Sequence, residues 1–164
     1  MKQTQTQTQT QPKTDLVHPY ADGSYKKLLI GGNWVDAASG KRFETRNPAT
    51  GALLATVAEG DVEDIDRAVA AARQAFDGPW SKFKPFQRQE ILLRLADLVD
   101  THFEELCTLD TLDMGQPLSR TRTHRLRAVG MLRYYAGLAT SIHGETVQNS
   151  LPGDYLSYTL REPV

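Results

Sequence analysis

The sequence predicts an α/β fold in which two short β-hairpins are followed by three helices and a terminal strand. Two observations lead to this prediction. Turn-forming residues separate short apolar segments between residues 28 and 58, which is typical of hairpins. After Asp61 the apolar residues recur at helical spacing instead. A chain of 164 residues is long enough for one domain of ordinary size with a hydrophobic core.

Residues 1–24 are polar and open with alternating Thr and Gln. They offer little apolar surface to bury, so we expect a disordered tail. The segment has neither the apolar core of a secretory signal nor the arginines of a mitochondrial presequence, which favours a cytoplasmic location. A Gln/Thr repeat can also promote self-association, but this run is short and Pro12 interrupts the residues that follow.

The first hairpin is predicted from Leu28-Leu29-Ile30, a Gly31-Gly32-Asn33 turn, and Trp34-Val35. The second hairpin joins residues 43–46 to residues 53–57 through the sequence Asn47-Pro-Ala-Thr-Gly51. Proline restricts φ and glycine tolerates positive φ, so this connection has the composition of a tight turn. Strands and turns are therefore expected throughout residues 28–58.

A first helix is predicted to begin after Asp61, because acidic residues follow directly and complement the helix dipole. Its apolar stripe is Ile65, Val69, Ala72 and Phe76. Asp77-Gly78-Pro79 is expected to end it.

A second helix is predicted from Pro85 to about Asp113, with Met114-Gly115-Gln116-Pro117 as its end signal. A third helical region is predicted over residues 118–142, with a break near Thr123. Residues 155–161 alternate in the manner of a strand, and we expect their hydrogen-bonding edges to pair with a partner. These elements form either one compact layer or the outer part of a larger domain.

The composition excludes several classes of function. The net charge of −1 provides no electrostatic footprint for nucleic acid, and no apolar run reaches the roughly 18 residues that span a bilayer. The single cysteine, Cys107, can form neither an internal disulfide nor a cysteine-cluster metal site. It lies on an apolar helix stripe, where a thiol is expected to be structural, because a reactive thiol needs an electropositive, partly open site.

Few other side chains of the sequence suggest a metal-binding, phosphate-binding or catalytic site. The four histidines lack metal-ligand spacing, so solvated or capping roles are expected for them, and Gly31-Gly32 is not a phosphate-binding loop. Glu105, Asp110 and Asp113 are interpreted either as a solvated helix face or as oxygen ligands for a cation. The basic residues between Arg120 and Arg127 read as surface or partner contacts.

Seven stretches, in order, resemble the aldehyde dehydrogenase superfamily over about 137 residues. They are Leu28 to Trp34, Phe43 to Gly51, Asp64 to Phe76, Trp80 with Arg88 and Leu95 to Leu98, Thr108 to Pro117, Arg133 to Gly137, and Arg161 to Val164. The resemblance implies the N-terminal part of a Rossmann-like fold. It places the N-terminal part of the cofactor-binding domain at residues 25–152 and the start of an oligomerisation strand at residues 153–164, which would pair with another subunit.

The resemblance also implies a mechanism for the parent enzyme. A cysteine thiolate attacks the aldehyde, an asparagine side chain stabilises the oxyanion, hydride passes to NAD or NADP, and a glutamate activates the hydrolytic water. No position of residues 1–164 matches these catalytic residues or the cofactor contacts. We therefore expect no dehydrogenase activity from residues 1–164 alone, and a homo-oligomer with an aldehyde substrate for the complete enzyme.

One site carries over by resemblance. Some members of the superfamily hold a monovalent cation with two backbone carbonyls before Asn-Pro and with the aspartate of a Thr-Leu-Asp-x-Gly stretch. The matching positions are Thr45, Arg46 and Asp113. A second hypothesis, of a different class, is a non-catalytic interaction module that adds its terminal strand to a partner's sheet.

Overall fold

The computed structural model describes residues 16–162 of the chain. Within them the strands are β1 (Tyr25–Lys26), β2 (Leu28–Ile30), β3 (Asn33–Val35), β4 (Arg42–Arg46), β5 (Leu53–Ala58), β6 (Thr146–Val147) and β7 (Ser157–Tyr158). The helices are α1 (Val62–Asp77), α2 (Pro85–Thr101), α3 (Phe103–Met114), α4 (Leu118–Arg122) and α5 (Arg125–Leu138), and a 3₁₀ turn at Pro79–Lys82 precedes α2. The predicted α/β class, with hairpins followed by helices, is confirmed.

Both predicted hairpins form. β2 pairs antiparallel with β3, and the turn between them uses Gly31 and Gly32 at φ of 58° and 80°, values that glycine adopts without a Cβ penalty. β4 pairs antiparallel with β5. The short strand β1 adds to the free side of β5 in parallel, giving the order β1-β5-β4, which local sequence signals did not predict.

Residues 16–24, expected to belong to a disordered tail, pack instead against the small sheet and α3. The backbone N–H of Gly23 donates to the Leu54 carbonyl at 2.9 Å, and the N–H of Thr56 donates to the Ser24 carbonyl at 3.2 Å. His18 is only 4% exposed, and its Nε2 lies 3.9 Å from Glu105 Oε1. The prediction that His18 is solvated or caps a helix is therefore wrong, because packing against α3 decides its burial. The alternating Thr and Gln lie outside the described residues.

The first helix begins and ends as predicted, between Asp61 and Gly78. The Asp64 carboxylate is 3% exposed and accepts hydrogen bonds from the N–H groups of Asp61 and Ala38. The predicted apolar stripe of this helix is largely uncovered, since Ile65 is 60% exposed and Val69 is 54% exposed. This exposure favours the second of the two arrangements, in which the helices form the outer part of a larger domain.

The second predicted helix is divided at His102 into α2 and α3, so the prediction of one continuous helix is wrong. The Thr101 hydroxyl donates to the Asp97 carbonyl at 2.8 Å, a bond to the preceding turn that often bends helices. The break expected near Thr123 is confirmed, because α4 ends at Arg122 and α5 begins at Arg125. α5 stops at Leu138 rather than near residue 142, since Thr140 and Ser141 bond back to the Gly137 and Leu138 carbonyls.

α2 packs against α5, and salt bridges join the helices at their surface. Arg125 Nε donates to Asp100 Oδ1 at 2.7 Å, and this guanidinium holds the pKa of Asp100 below its usual value. Arg122 pairs with Glu104 at 2.7 Å. Two members of the basic stretch thus contact acidic side chains of the preceding helices within the chain.

The terminal strand is shorter than predicted and has a partner within the chain. β7 pairs antiparallel with β6, and the Thr159 N–H donates to the Glu145 carbonyl at 2.8 Å. One edge of this strand therefore has a partner within the chain, and its pairing with another subunit stays a prediction. The apolar side chains around this hairpin are nevertheless exposed, with Leu156 at 77% and Leu160 at 70%.

Candidate functional site

The candidate cation site lies where the β4–β5 hairpin meets the C-terminal end of α3. A bulge interrupts the register between Thr45, which is opposite Ala55, and Arg46, which is opposite Leu53. A bulge disrupts the regular ladder of strand hydrogen bonds. It therefore occurs at the two residues whose carbonyls the resemblance gives to the cation.

The turn after β4 is held by its own hydrogen bonds. Asn47 Oδ1 accepts from the Ala49 N–H at 2.9 Å, and the Gly51 N–H donates to the Asn47 carbonyl at 2.7 Å. Arg46 Nη1 donates to the Gly51 carbonyl at 3.0 Å, and the same guanidinium pairs with Glu44. The Arg46 side chain is thus bound along the exposed hairpin, and only its main chain is available for the role predicted from sequence.

α3 contributes Asp113 from its last turn and then ends at Gly115. Gly115 adopts the left-handed conformation at φ of 72°, and its N–H donates to the Thr111 carbonyl at 3.0 Å. A Cβ built on Gly115 would lie 2.8 Å from Pro48 Cγ, so the end of α3 and the hairpin turn are in close contact. The end of the helix therefore places Asp113 beside β4.

The structure brings Thr45 and Asp113 together across 68 positions of sequence. Thr45 Oγ1 donates to Asp113 Oδ1 at 2.9 Å. Local sequence signals do not reveal this side-chain contact, because the resemblance gave Thr45 a role through its carbonyl alone. Within residues 16–162 the other carboxylate oxygen of Asp113, Oδ2, accepts no hydrogen bond.

Thr45 and Asp113 face an open groove of about 840 Å³ between the small sheet and α3. Its walls carry three aromatic side chains, two lysines and a second aspartate, namely Tyr20, Tyr25, Trp34, Lys26, Lys27 and Asp110. The lysines have acidic partners of their own, since Lys26 pairs with Asp22 at 2.9 Å and Lys27 with Asp36 at 3.1 Å. Hydrogen bonds from Ser24 and then from Lys26 hold the pKa of Asp22 below its usual value, and the hydrogen bond from Lys27 lowers the pKa of Asp36.

The local charge suits a small cation. Asp113 lies in the last turn of α3, where the helix dipole is negative and where no basic residue is present to offset it. The described part of the chain contains no group of three or more His, Cys, Asp or Glu side chains arranged to hold a metal ion. One carboxylate with backbone oxygens is an oxygen-only donor set, which suits a hard cation better than a soft metal ion.

The alternative set predicted from sequence, Glu105 with Asp110 and Asp113, does not come together. Instead, Glu105 Oε2 lies 3.1 Å from His102 Nδ1, and Glu105 Oε1 lies 3.9 Å from His18 Nε2. Cys107 is 4% exposed, which confirms the predicted burial of its thiol. Across residues 16–162, no helix has the length and apolar character that crossing a membrane requires.

Comparison with known proteins decides the family. The model of the aldehyde dehydrogenase family matches residues 34–164. The chain belongs to the aldehyde dehydrogenase family. This confirms the resemblance seen in the sequence, and it agrees with the α/β architecture of the structure.

This aldehyde dehydrogenase sequence is 49% identical to aldehyde dehydrogenase family 2 member B4, mitochondrial, of Arabidopsis thaliana over 152 residues, which are 92% of this chain and 28% of that protein. It is 48% identical to benzaldehyde dehydrogenase, mitochondrial, of Antirrhinum majus over 150 residues, covering 90% and 28% respectively. The chain therefore spans little more than a quarter of these relatives. Since both names say mitochondrial, the cytoplasmic location stays a prediction.

Solved aldehyde dehydrogenase structures share the same fold. The NAD⁺ complex of the enzyme from Bacillus cereus superposes with a TM-score of 0.78 at 43% identity, covering 85% of this chain and 28% of that one. The fold seen here is thus the fold of the corresponding quarter of a longer dehydrogenase.

Proposed function

We propose that these residues form the N-terminal part of an NAD(P)⁺-dependent aldehyde dehydrogenase, an enzyme that converts an aldehyde and water into a carboxylic acid while a nicotinamide accepts hydride. The observation that carries this proposal is the 43% identity, over 85% of the chain, to an enzyme whose structure is an NAD⁺ complex. Residues 25–152 would contribute the outer part of the cofactor-binding domain. Residues from 153 onward would begin the segment that joins subunits in a homo-oligomer, which the exposed apolar side chains around β7 support.

The test of this function compares two polypeptides: the 164 residues of this sequence, and an enzyme with the length of the relatives that carries these residues as its N-terminal part, called the full chain below. Each is mixed with NAD⁺ or NADP⁺ and a panel of aliphatic and aromatic aldehydes, and reduction of the cofactor is measured. We expect activity from the full chain and none from a polypeptide of residues 1–164. The only cysteine of that polypeptide is Cys107, which is 4% exposed on a helix and therefore lacks the access to solvent and substrate that a nucleophilic thiol needs.

Each of the two polypeptides can give a result that contradicts the proposal. A full chain that reduces neither cofactor with any aldehyde would argue against the proposed activity. Formation of reduced cofactor by residues 1–164 would show that the chemistry resides in this part of the chain after all. Cys107→Ser, made in the full chain, is the matched control and is expected to leave the turnover rate unchanged.

The alternative of a non-catalytic interaction module receives less support from the structure. It uses the terminal strand for sheet addition, but Ser157–Tyr158 is only two residues long, which leaves little main chain on its free edge for a partner to pair with. The aldehyde dehydrogenase proposal explains the uncovered helix faces without a separate partner.

We also propose that the carbonyls of Thr45 and Arg46, with the Asp113 carboxylate, hold a monovalent cation. The bulge at Thr45 and Arg46 and the uncompensated charge of Asp113 support this proposal. Such an ion would link the β4–β5 hairpin to α3. It would act as a structural element of the fold, with no part in the chemical step.

Ion-specific stabilisation tests this site. We expect the full chain to melt at a higher temperature in potassium or sodium chloride than in lithium chloride of equal ionic strength. At a cation concentration about ten times the Kd, binding adds about 1.4 kcal/mol to the free energy of unfolding, which corresponds to roughly 3–6 °C for a domain of 150–250 residues. Asp113→Ala should abolish the difference between salts, whereas Asp110→Ala, on the same groove, should preserve it. Equal melting temperatures of the unsubstituted protein in all three salts would contradict the proposed cation site.

A further inference from the structure

The Thr45 hydroxyl makes a contact that the proposed cation site does not require of it. The site uses the Thr45 carbonyl, yet the side chain of the same residue reaches across to α3 and donates to Asp113 Oδ1 at 2.9 Å. Thr45 is half-buried and Asp113 is exposed. The hydrogen bond therefore joins a well-held strand residue to a carboxylate that solvent would otherwise leave free to change rotamer.

Within residues 16–162, the Thr45 hydroxyl is the one group that donates a hydrogen bond to the Asp113 side chain. The two lysines of the groove and Arg46 have acidic partners of their own: Lys26 binds Asp22, Lys27 binds Asp36, and Arg46 binds Glu44. The last turn of α3 contains no basic residue. Within the described residues, the Thr45 hydroxyl is the donor that determines where the Asp113 carboxylate points.

One hydrogen bond of this kind leaves the carboxylate able to bind a cation. A carboxylate has two oxygens and about four acceptor positions, of which the hydroxyl occupies one on Oδ1. Oδ2 accepts no hydrogen bond from the described residues, so it stays available to a cation. A neutral donor orients the carboxylate and leaves its negative charge in place. A lysine or arginine partner would orient it but would also neutralise that charge.

We propose that Thr45 is the positioning residue of the cation site, through its side-chain hydroxyl in addition to its carbonyl. The hydroxyl holds Asp113 Oδ1 so that the carboxylate is already oriented when the cation binds. Groups that orient a metal ligand in this way commonly account for a 10–100-fold difference in affinity. The inference rests on the proposed cation site. It gives the Thr45 hydroxyl a part in the cation affinity, in addition to the Thr45 carbonyl that the family pattern already implicated.

Two substitutions separate the hydroxyl from the shape of the side chain. Thr45→Val keeps the β-branched shape and removes the hydroxyl, whereas Thr45→Ser keeps the hydroxyl. Both keep the backbone carbonyl. The measurement is the melting temperature of the full chain as a function of potassium or sodium chloride, with lithium chloride used to hold the ionic strength constant.

We expect Thr45→Val to require an about tenfold higher concentration of the stabilising cation for the half-maximal shift in melting temperature. Thr45→Ser should titrate like the unsubstituted protein. If Thr45→Val lowers the melting temperature equally in every salt but titrates normally, the hydrogen bond is only structural and the inference is wrong. If the unsubstituted protein itself shows no cation-specific shift, the cation site and this inference are both wrong, so the two failures are distinguishable.

Discussion

Asp64→Ala is expected to destabilise the protein by about 3 kcal/mol, because the change removes a buried carboxylate whose partners have no substitute. Both oxygens of Asp64 accept from the Ala38 N–H, at 3.1 and 3.2 Å, and Oδ2 also accepts from the Asp61 N–H at 3.3 Å. Arg67 Nη1 donates to Oδ1 at 3.1 Å. Asp64 is 3% exposed, so water cannot replace these bonds without structural change.

Two contributions add up to this effect. Loss of the acceptor at the first turn of α1 costs about 0.5–2 kcal/mol, as for other helix caps. Leaving the Ala38 N–H unpaired beside the buried Ala37 costs about 1–3 kcal/mol. The residues around Ala38 are 26 positions from Asp64 and are joined to α1 through this carboxylate, so their attachment to the helix should weaken as well.

Chemical denaturation of the full chain and hydrogen exchange at the Ala38 amide are the measurements. Asp66→Ala is the matched control, since Asp66 is an exposed aspartate on the same helix and its loss should change stability by no more than about 0.5 kcal/mol. Equal destabilisation by the two substitutions, with the Ala38 amide still protected after Asp64→Ala, would contradict the role given to Asp64.

Gly115→Ala is the second substitution from which we expect a large effect, a loss of about 2–4 kcal/mol. Gly115 ends α3 at φ of 72°, a conformation that costs an L-residue about 1–2 kcal/mol. The added Cβ would also lie 2.8 Å from Pro48 Cγ, closer than carbon atoms pack. Relief of that contact must move either the end of α3 or the turn after β4, and both carry the cation site.

A double-substitution cycle separates the two contributions. Pro48→Ala removes the Cγ that the new methyl group would meet, so Gly115→Ala should cost less in the Pro48→Ala background than in the original protein. Gly130→Ala provides a control of opposite sign. A Cβ at Gly130 meets nothing within 4 Å in the middle of α5, so the substitution should stabilise the helix by about 0.5–1 kcal/mol. Unfolding free energies that are additive in the cycle would show that the steric contact contributes nothing.

The elements predicted correctly from the sequence are those whose causes lie within a few residues. Asp61 and its acidic successors start α1, Gly78-Pro79 stops it, and Gly31-Gly32 turns the first hairpin. Each signal acts through a dihedral preference or a hydrogen bond to a near neighbour. The candidate cation site was predicted from the sequence by another route, because Thr45, Arg46 and Asp113 match a family pattern.

The elements missed from the sequence depend on contacts between distant residues. β1 forms because Tyr25 lies opposite Thr56 in a parallel pair, and the burial of His18 requires α3 to be in place. The break at His102 was missed because the apolar residues on both sides of it keep the same helical spacing, so the pattern indicated one continuous helix. The pairing of β7 with β6 likewise depends on a turn that brings Ser157 opposite Val147.

The amino-acid sequence by itself thus determined the family, the α/β class, the turns and the helix starts of this protein. The tertiary structure alone decided that the Thr45 hydroxyl meets Asp113 across 68 residues and that Gly115 touches Pro48. The physical reason is that a turn or a cap is stabilised by interactions local in the chain. A hydrogen bond between a strand and a distant helix forms only after the packing of both elements has already brought its donor and acceptor within 3 Å.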